Sequence, residues 1–132
     1  VEVMTPRKKV YELQKKSVLD QTLLHKIRET GFTRIPVYSR DINDIVGFLY
    51  TKDLIGIDPD EKESIEKIMR TAKLIRVSPK RRLDTLLNMM IVRRAHMAIV
   101  TEKSGKFLGI VTMEDVVEEI IGREIIDEDD VE

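Results

Sequence analysis

Apolar residues recur about every three to four positions in two stretches of the chain, which is the spacing of one face of an α-helix. The first stretch predicts a helix from Ser17 to Gly31, with Ser17 and Asp20 as a capping pair and Gly31 as the C-terminal stop. Its apolar stripe consists of Leu19, Leu23, Leu24 and Ile27. In the second stretch we expect Ser78 to cap a helix and Pro79 to be its first residue. Its apolar stripe consists of Leu83, Leu86, Leu87, Met90 and Ile91.

Short apolar runs that follow each of these helices predict β-strands. The predicted strands are Ile35–Tyr38, Ile45–Tyr50, Met97–Val100 and Phe107–Val111. Further helices are expected from Asp53 to Ile57 and from Thr112 to Ile121. A turn at Asp58 to Asp60 and a charged stretch up to Lys67 link the two halves of the chain, and an acidic tail follows Gly122.

The two halves of the sequence resemble each other. One constant shift along the chain places Leu19, Asp20, Leu23, Ile27 and Ile35 on Leu83, Asp84, Leu87, Ile91 and Ile99. A slightly shorter shift then places Gly47 on Gly109 and Asp53 on Asp115. The change in spacing falls in polar loops, where differences in length are tolerated. The sequence therefore predicts two copies of one structural repeat.

Each half has the order β-α-β-β-α with a short leading strand, so the predicted class is mixed α/β (α+β). Because one half does not cover both faces of its own sheet, we expect two halves packed sheet to sheet about a pseudo-twofold axis, with two clefts between them. The predicted organisation is a first repeat at residues 1–60, a second repeat at 61–122 and an acidic C-terminal tail at 123–132.

Composition narrows the possible functions. The 132 residues carry a net charge of −1, which gives no indication of nucleic-acid or membrane binding. Cysteine is absent, and His25 and His96 are isolated, so we expect no metal site. No nucleophile, base or metal cluster suggests an enzyme. No apolar run approaches the ~20 residues of a membrane span, and without an initiator methionine we expect a piece of a longer protein.

One segment is specific enough to suggest a family. Gly109 to Asp115 reads Gly-Ile-Val-Thr-Met-Glu-Asp and matches the CBS domain signature of a glycine, an apolar pair, a threonine or serine, two residues and an aspartate. Its counterpart, Gly47 to Asp53, keeps the glycine and the aspartate but has Tyr50 in place of the threonine. The whole chain thus resembles a tandem pair of CBS repeats, which is called a Bateman module.

A narrower resemblance rests on several separate segments. Val3–Pro6, Gly31–Tyr38, Lys52–Leu54 and Gly109–Ile121 look like the CorC and cyclin-M type, or hemolysin-like, magnesium transport proteins. This resemblance implies a homodimeric regulatory module on the cytoplasmic face of the membrane, attached to the membrane domain of the same protein. It also implies binding of an adenine nucleotide, either ATP with magnesium or ADP or AMP, and control of magnesium or cobalt transport.

The resemblance carries nucleotide binding over to eight positions of this chain. They are Thr5, Phe32, Thr33, Arg34, Ile35, Pro36, Thr112 and Asp115. Their chemistry fits, because an aspartate carboxylate accepts hydrogen bonds from both ribose hydroxyls and Thr112 adds a hydroxyl contact. Ile35 and Pro36 offer apolar surface to an adenine ring. Arg34 and the N-terminus of the helix after Thr112 offer positive charge to phosphates.

Two alternatives stay open at this point. Thr112 and Asp115 also have the spacing of a helix-capping pair, so capping is the alternative to ribose contact. Asp53 recurs although Tyr50 does not cap in the same way, and we therefore expect one competent site and one impaired or empty site. The alternative function is a structural dimerisation and docking module without a ligand.

Overall fold

The computed structural model describes residues 3–71 and 74–130, with side chains described up to residue 123. These residues divide into two compact units. The N-terminal unit takes the described part of Val10–Ala72, and the C-terminal unit takes that of Val1–Lys9 and Lys73–Glu132. The compact units are a different division from the sequence repeats at 1–60 and 61–122, and the repeat boundaries stay a prediction.

The helices and strands follow one another closely along the chain. In the described residues the strands are β1 (Thr5–Pro6), β2 (Leu13–Gln14), β3 (Arg34–Tyr38), β4 (Ile45–Tyr50), β5 (Leu74–Val77), β6 (Met97–Thr101) and β7 (Phe107–Thr112). The α-helices in the same residues are α1 (Gln21–Thr30), α2 (Ile65–Ile68), α3 (Leu83–Arg93) and α4 (Met113–Asp130). Short 3-10 helices lie at Arg7–Lys9, Thr51–Leu54 and Pro59–Glu61.

Each unit contains a mixed sheet. In the N-terminal unit the strand order is β2-β3-β4, with β2 parallel to β3 and β3 antiparallel to β4. In the C-terminal unit the order is β1-β7-β6-β5, and β5 is parallel to β6. Parallel neighbours need a crossover connection, which α1 and α3 supply. The mixed α/β class is therefore confirmed, and sheet-to-sheet packing stays a prediction.

Helix α1 ends where the sequence indicated but begins later. Gly31 terminates it with a left-handed φ of 70°, as predicted. Its N-cap is Asp20, whose Oδ1 accepts a hydrogen bond from Leu23 N at 2.8 Å. The predicted start at Ser17 was wrong, because the Ser17 carbonyl accepts a hydrogen bond from Ile65 N at 2.8 Å and so binds this segment to the start of α2.

Two other helix predictions were wrong for local reasons. Helix α3 begins at Leu83 rather than at Pro79, because Ser78 Oγ accepts from Lys80 N at 3.2 Å and closes a separate turn. The helix expected from Asp53 to Ile57 is a 3-10 helix at Thr51–Leu54 instead. It stops before Gly56, whose φ of 86° is incompatible with a continuing helix.

Helix α4 does not end at Ile121 but continues to Asp130. A glycine inside a helix costs only about 1 kcal/mol, so Gly122 is too weak a signal to stop it. No proline follows Gly122 in the sequence. Most of the segment expected as an acidic tail at 123–132 is therefore helical, and residues 131–132 lie outside the described residues.

Each unit has its own apolar core. The core of the N-terminal unit consists of Leu13, Leu19, Leu24, Ile27, Ile35, Val37, Leu49, Leu54 and Ile65. The core of the C-terminal unit consists of Ile75, Val77, Leu86, Met90, Ala95, Ala98, Val100, Val111 and Val116. Ile65 lies in the stretch expected to be a charged link, yet its side chain is fully buried. Ile65 therefore ties this stretch to the core of the N-terminal unit.

Candidate functional site

Strand β1 brings Thr5 to the beginning of α4 within the C-terminal unit. Thr5 lies opposite Ile110 in β7, antiparallel to it. Gly109 permits this close approach, because a Cβ there would overlap the Thr5 carbonyl oxygen and the Met4 side chain. The residues that line one open groove of this unit are Val3, Thr5, Asp115, Glu118 and Glu119. Thr5 and Asp115, both predicted site residues, thus lie together although they are far apart in the sequence.

Thr112 and Asp115 contact each other across the first turn of α4. Asp115 N donates to Thr112 Oγ1 at 3.3 Å, and Thr112 N donates to Asp115 Oδ2 at 3.5 Å. This is the reciprocal arrangement of a capping box, so the capping geometry anticipated from the sequence is present. Both distances exceed the ~2.9 Å of a typical hydrogen bond. Among the described residues, Asp115 Oδ1 has no hydrogen-bond partner, which leaves one acceptor oxygen for a ligand.

The groove carries negative charge. Glu118 is exposed, and Glu119 Oε1 forms an ion pair with Arg123 Nε at 3.3 Å. Carboxylate oxygens accept hydrogen bonds from hydroxyl groups and repel the oxygens of a phosphate. The groove is therefore suited to the hydroxyls of a sugar rather than to phosphate groups.

Phe32 and Thr33 belong to the N-terminal unit, directly after α1. Phe32 is 44% exposed, and both residues line an open pocket beside Leu54 and Ile55. The Thr33 carbonyl accepts hydrogen bonds from Thr51 N at 2.9 Å and from Thr51 Oγ1 at 3.1 Å. These bonds hold the turn between α1 and β3 and leave the Phe32 ring at the surface.

The remaining predicted residues, Arg34, Ile35 and Pro36, lie in β3 of the same unit. The guanidinium carbon of Arg34 lies 5.0 Å from the centre of the Tyr50 ring, within the range of a cation–π interaction. Ile35 is fully buried in the core, and Pro36 is buried as well. The apolar surface expected at these two side chains is therefore occupied by core packing.

Asp53, the counterpart of Asp115, is held by Arg70. Arg70 Nε donates to Asp53 Oδ2 at 2.7 Å, and Arg70 Nη2 donates to Asp53 Oδ1 at 2.8 Å. This hydrogen bonding holds the pKa of Asp53 below its ordinary value and raises the pKa of Arg70. Sequence reasoning missed Arg70. The signal that was available is its distance along the chain from Thr5, which is close to the spacing of the repeat.

Comparison with known proteins decides the family. A family model described as the CBS domain matches residues 65–122. A solved structure of the CBS domain of the bacterial CNNM/CorC family Mg²⁺ transporter in complex with ATP is 35% identical in sequence. The match covers 92% of this chain and 85% of that chain, with a TM-score of 0.81.

This chain belongs to the CBS domains of the CNNM/CorC family. The family resemblance found in the sequence is thereby confirmed. The CNNM/CorC CBS region also matches two longer curated relatives. It is 41% identical to Hemolysin C of Brachyspira hyodysenteriae, covering 99% of this chain and 48% of that protein. It is 37% identical to Protein MAM3 of Saccharomyces cerevisiae, covering 98% of this chain and 19% of that protein. The chain thus spans about half of one relative and about a fifth of the other.

His25, one of the two isolated histidines of this CBS region, lies on the surface of α1. His25 Nε2 lies 2.9 Å from Glu29 Oε1, and both side chains are exposed on α1. Within residues 3–71 and 74–130, no three histidine, cysteine, aspartate or glutamate side chains are grouped so that they would hold a metal ion. No helix in the described part of the chain is long and apolar enough to span a membrane.

Proposed function

We propose that this CBS region is a regulatory module that binds an adenine nucleotide, with ATP and magnesium as the first choice. The observation that carries the proposal is the groove shared by Thr5 and Asp115, next to the Thr112 hydroxyl. The CNNM/CorC relative solved in complex with ATP supports the choice of ligand.

In this proposal the sugar of the nucleotide lies in the acidic groove of the C-terminal unit. Asp115 Oδ1 accepts a hydrogen bond from a ribose hydroxyl, and this bond is stronger than a neutral one because the acceptor is charged. The Thr112 hydroxyl lies 3.3 Å from Asp115 N and exchanges this weak contact for one to the ligand. The contribution of Phe32, Thr33, Arg34, Ile35 and Pro36 stays a prediction, which single alanine substitutions test.

Titration calorimetry and thermal melting with ATP, ADP and AMP, each with and without magnesium, test the proposal. At a nucleotide concentration about a hundredfold above the dissociation constant, binding stabilises the folded state by about 2.7 kcal/mol. We expect Asp115→Ala to weaken binding by about 10- to 150-fold, which corresponds to roughly 1.5–3 kcal/mol for a bond to a charged group. The absence of heat and of any melting shift with all three nucleotides would refute the proposal.

Two further variants separate ribose contact from capping. Asp115→Asn keeps a side-chain oxygen that accepts from Thr112 N but removes the charge, so it should retain stability and lose affinity. Asp84→Ala is the matched control, because Asp84 is also an acidic residue in the first turn of a helix, here α3. We expect nucleotide binding to be unchanged in this control.

The second candidate function is a structural dimerisation and docking module without a ligand. The reciprocal contacts of Thr112 and Asp115 favour it, because they give both residues a role at the start of α4. Under this alternative, Asp115→Ala destabilises the C-terminal unit and no nucleotide binds to the unaltered protein. The calorimetric titration therefore distinguishes the two functions.

For the longer protein, we propose that this module is not an enzyme and controls a CorC-like membrane domain that transports magnesium or cobalt. It would act at the cytoplasmic face of the membrane and as a homodimer. Sedimentation measurements with and without ATP test the dimer. Release of inorganic phosphate from ATP by the isolated region would contradict a purely regulatory role.

A further inference from the structure

The close contact between two backbone segments at Gly109 in the C-terminal unit has a counterpart at Gly47 in the N-terminal unit. A Cβ at Gly47 would lie 2.6 Å from the Arg70 carbonyl oxygen, and Arg70 forms an antiparallel backbone bridge with Phe48. Phe48 is the sequence counterpart of Ile110, by the same shift that places Gly47 on Gly109. Because Ile110 pairs with Thr5, Arg70 holds in its unit the place that Thr5 holds in the other.

The side chains in these two equivalent places differ in length and charge. Thr5 has a short neutral side chain, and Asp115 has no ion-pair partner among the described residues. Arg70 instead extends to Asp53 and binds both of its carboxylate oxygens, at 2.7 and 2.8 Å. The planar guanidinium matches the two oxygens of a carboxylate, which makes this pair directional as well as charge-assisted.

Tyr50 supports this arrangement from the place that Thr112 holds in the other unit. The Arg70 guanidinium carbon lies 4.8 Å from the centre of the Tyr50 ring. A cation at this distance from an aromatic face is attracted by the ring electrons. The substitution of tyrosine for threonine thus removes a hydroxyl that a nucleotide would use and adds a surface that favours Arg70.

We infer that Arg70 occupies the place of a ribose at Asp53 and keeps this position closed, so that the chain takes up one nucleotide rather than two. The hydroxyls of a ribose require the same carboxylate oxygens that Arg70 binds. This inference rests on the proposed nucleotide function and makes Arg70 the residue that sets the number of binding positions. The Arg70 side chain is 52% exposed, so its substitution is not expected to disturb a core.

The experiment is a calorimetric titration with ATP and magnesium chloride on a set of variants. Arg70→Thr reproduces the residue found at position 5, and Arg70→Thr with Tyr50→Thr restores the whole pattern of the other unit. We expect the number of nucleotides bound per chain to rise from one to two. Affinity for the nucleotide at the Asp53 position should rise about tenfold or more over the affinity of this same position in the unaltered protein. Arg70→Lys keeps the positive charge but lacks the planar guanidinium that binds both carboxylate oxygens. This variant should therefore allow partial nucleotide binding at Asp53.

Variants that lack the Asp115 carboxylate test whether the second nucleotide binds at Asp53. In an Asp115→Ala background, Arg70→Thr should restore binding, and the further change Asp53→Ala should abolish it again. Lys67→Ala is the matched control, because it removes an exposed cation whose partner is Glu63, at 3.5 Å, and should leave the number of bound nucleotides unchanged.

The outcomes separate this inference from the proposed function. If the unaltered protein binds one nucleotide and neither the single nor the double threonine variant binds a second, the inference is overturned and the proposed function stands. If the unaltered protein binds none, the proposed function fails. The Arg70→Thr variant then decides the inference alone, since binding that depends on Asp53 supports it and no binding overturns it.

Discussion

Replacing Gly47 by alanine perturbs the contact between β4 and the backbone at Arg70. The added Cβ would lie 2.6 Å from the Arg70 carbonyl oxygen and 3.1 Å from the Met69 sulfur. The sulfur belongs to a flexible side chain that can move away. The carbonyl oxygen belongs to the backbone, so the two segments themselves have to separate.

The cost of this separation follows from the hydrogen bonds between the segments. Phe48 N donates to Arg70 O at 2.9 Å, and Arg70 N donates to Phe48 O at 2.8 Å. An ordinary contact for the new Cβ needs a shift of about 0.8 Å, which stretches both bonds beyond hydrogen-bonding range. Each lost bond costs about 0.5–1.5 kcal/mol, so the loss of both in Gly47→Ala should lower the free energy of unfolding by about 1–3 kcal/mol.

Urea unfolding followed by far-ultraviolet circular dichroism measures this change. Gly122→Ala is the control, because an added Cβ there meets nothing within 4 Å and Gly122 lies inside α4. This control should raise the free energy of unfolding by about 0.5–1 kcal/mol. A Gly47→Ala protein within about 0.5 kcal/mol of the unaltered protein, with the same urea dependence, would refute a close approach of these backbones.

Three further changes have distinct expected results. Asp20→Ala removes the acceptor for Leu23 N at the start of α1 and should lower the free energy of unfolding in urea by about 1 kcal/mol. Ser17→Ala should lower it by less than about 0.5 kcal/mol. Equal costs would contradict the assignment of Asp20 as the cap. Because the Ile65 side chain is fully buried, Ile65→Ala should lower the free energy of unfolding by about 2–5 kcal/mol and Ile65→Val by about 0.5–1.5 kcal/mol. Negligible effects of both substitutions would contradict the burial of Ile65 in the core. The Arg70 hydrogen bond lowers the pKa of Asp53, so the stability it contributes is present above the ordinary value of 3.8 and is lost as the pH falls from there through the lowered pKa. A carbon-13 NMR titration of the Asp53 carboxyl should show its midpoint return towards 3.8 in Arg70→Ala, and an unchanged midpoint would argue against the pair.

The strands and the end of α1 at Gly31 were the parts of the fold that the sequence predicted most accurately. The bounds expected for β4, Ile45 to Tyr50, agree with the structure, because an apolar run between polar loops identifies a covered strand locally. Helix starts were less predictable, since Ser17, Asp20 and Ser78 are all acceptable caps in isolation. The choice of Asp20 depends on the hydrogen bond that Ile65 donates to Ser17, and these two residues are far apart in the sequence.

The candidate site, like the fold, was predictable from the sequence only in part. The pattern from Gly109 to Asp115 and its partial copy from Gly47 to Asp53 indicated the family and the two equivalent aspartates. The sequence did not indicate that Arg70 binds one of these aspartates, or that Ile35 is buried in the core.

The sequence by itself indicated the recurring pattern of Gly47–Asp53 and Gly109–Asp115, the longer strands of each half, the helix end at Gly31 and the family. Each of these depends on residues that are neighbours in the chain or on their recurrence at a fixed spacing. The tertiary structure alone decided that Thr5 lies beside Asp115 and that Arg70 binds Asp53. Such contacts depend on the path by which β1 and the segment after α2 return to a sheet edge. That path is set by the packing inside each unit and not by any short pattern of residue types.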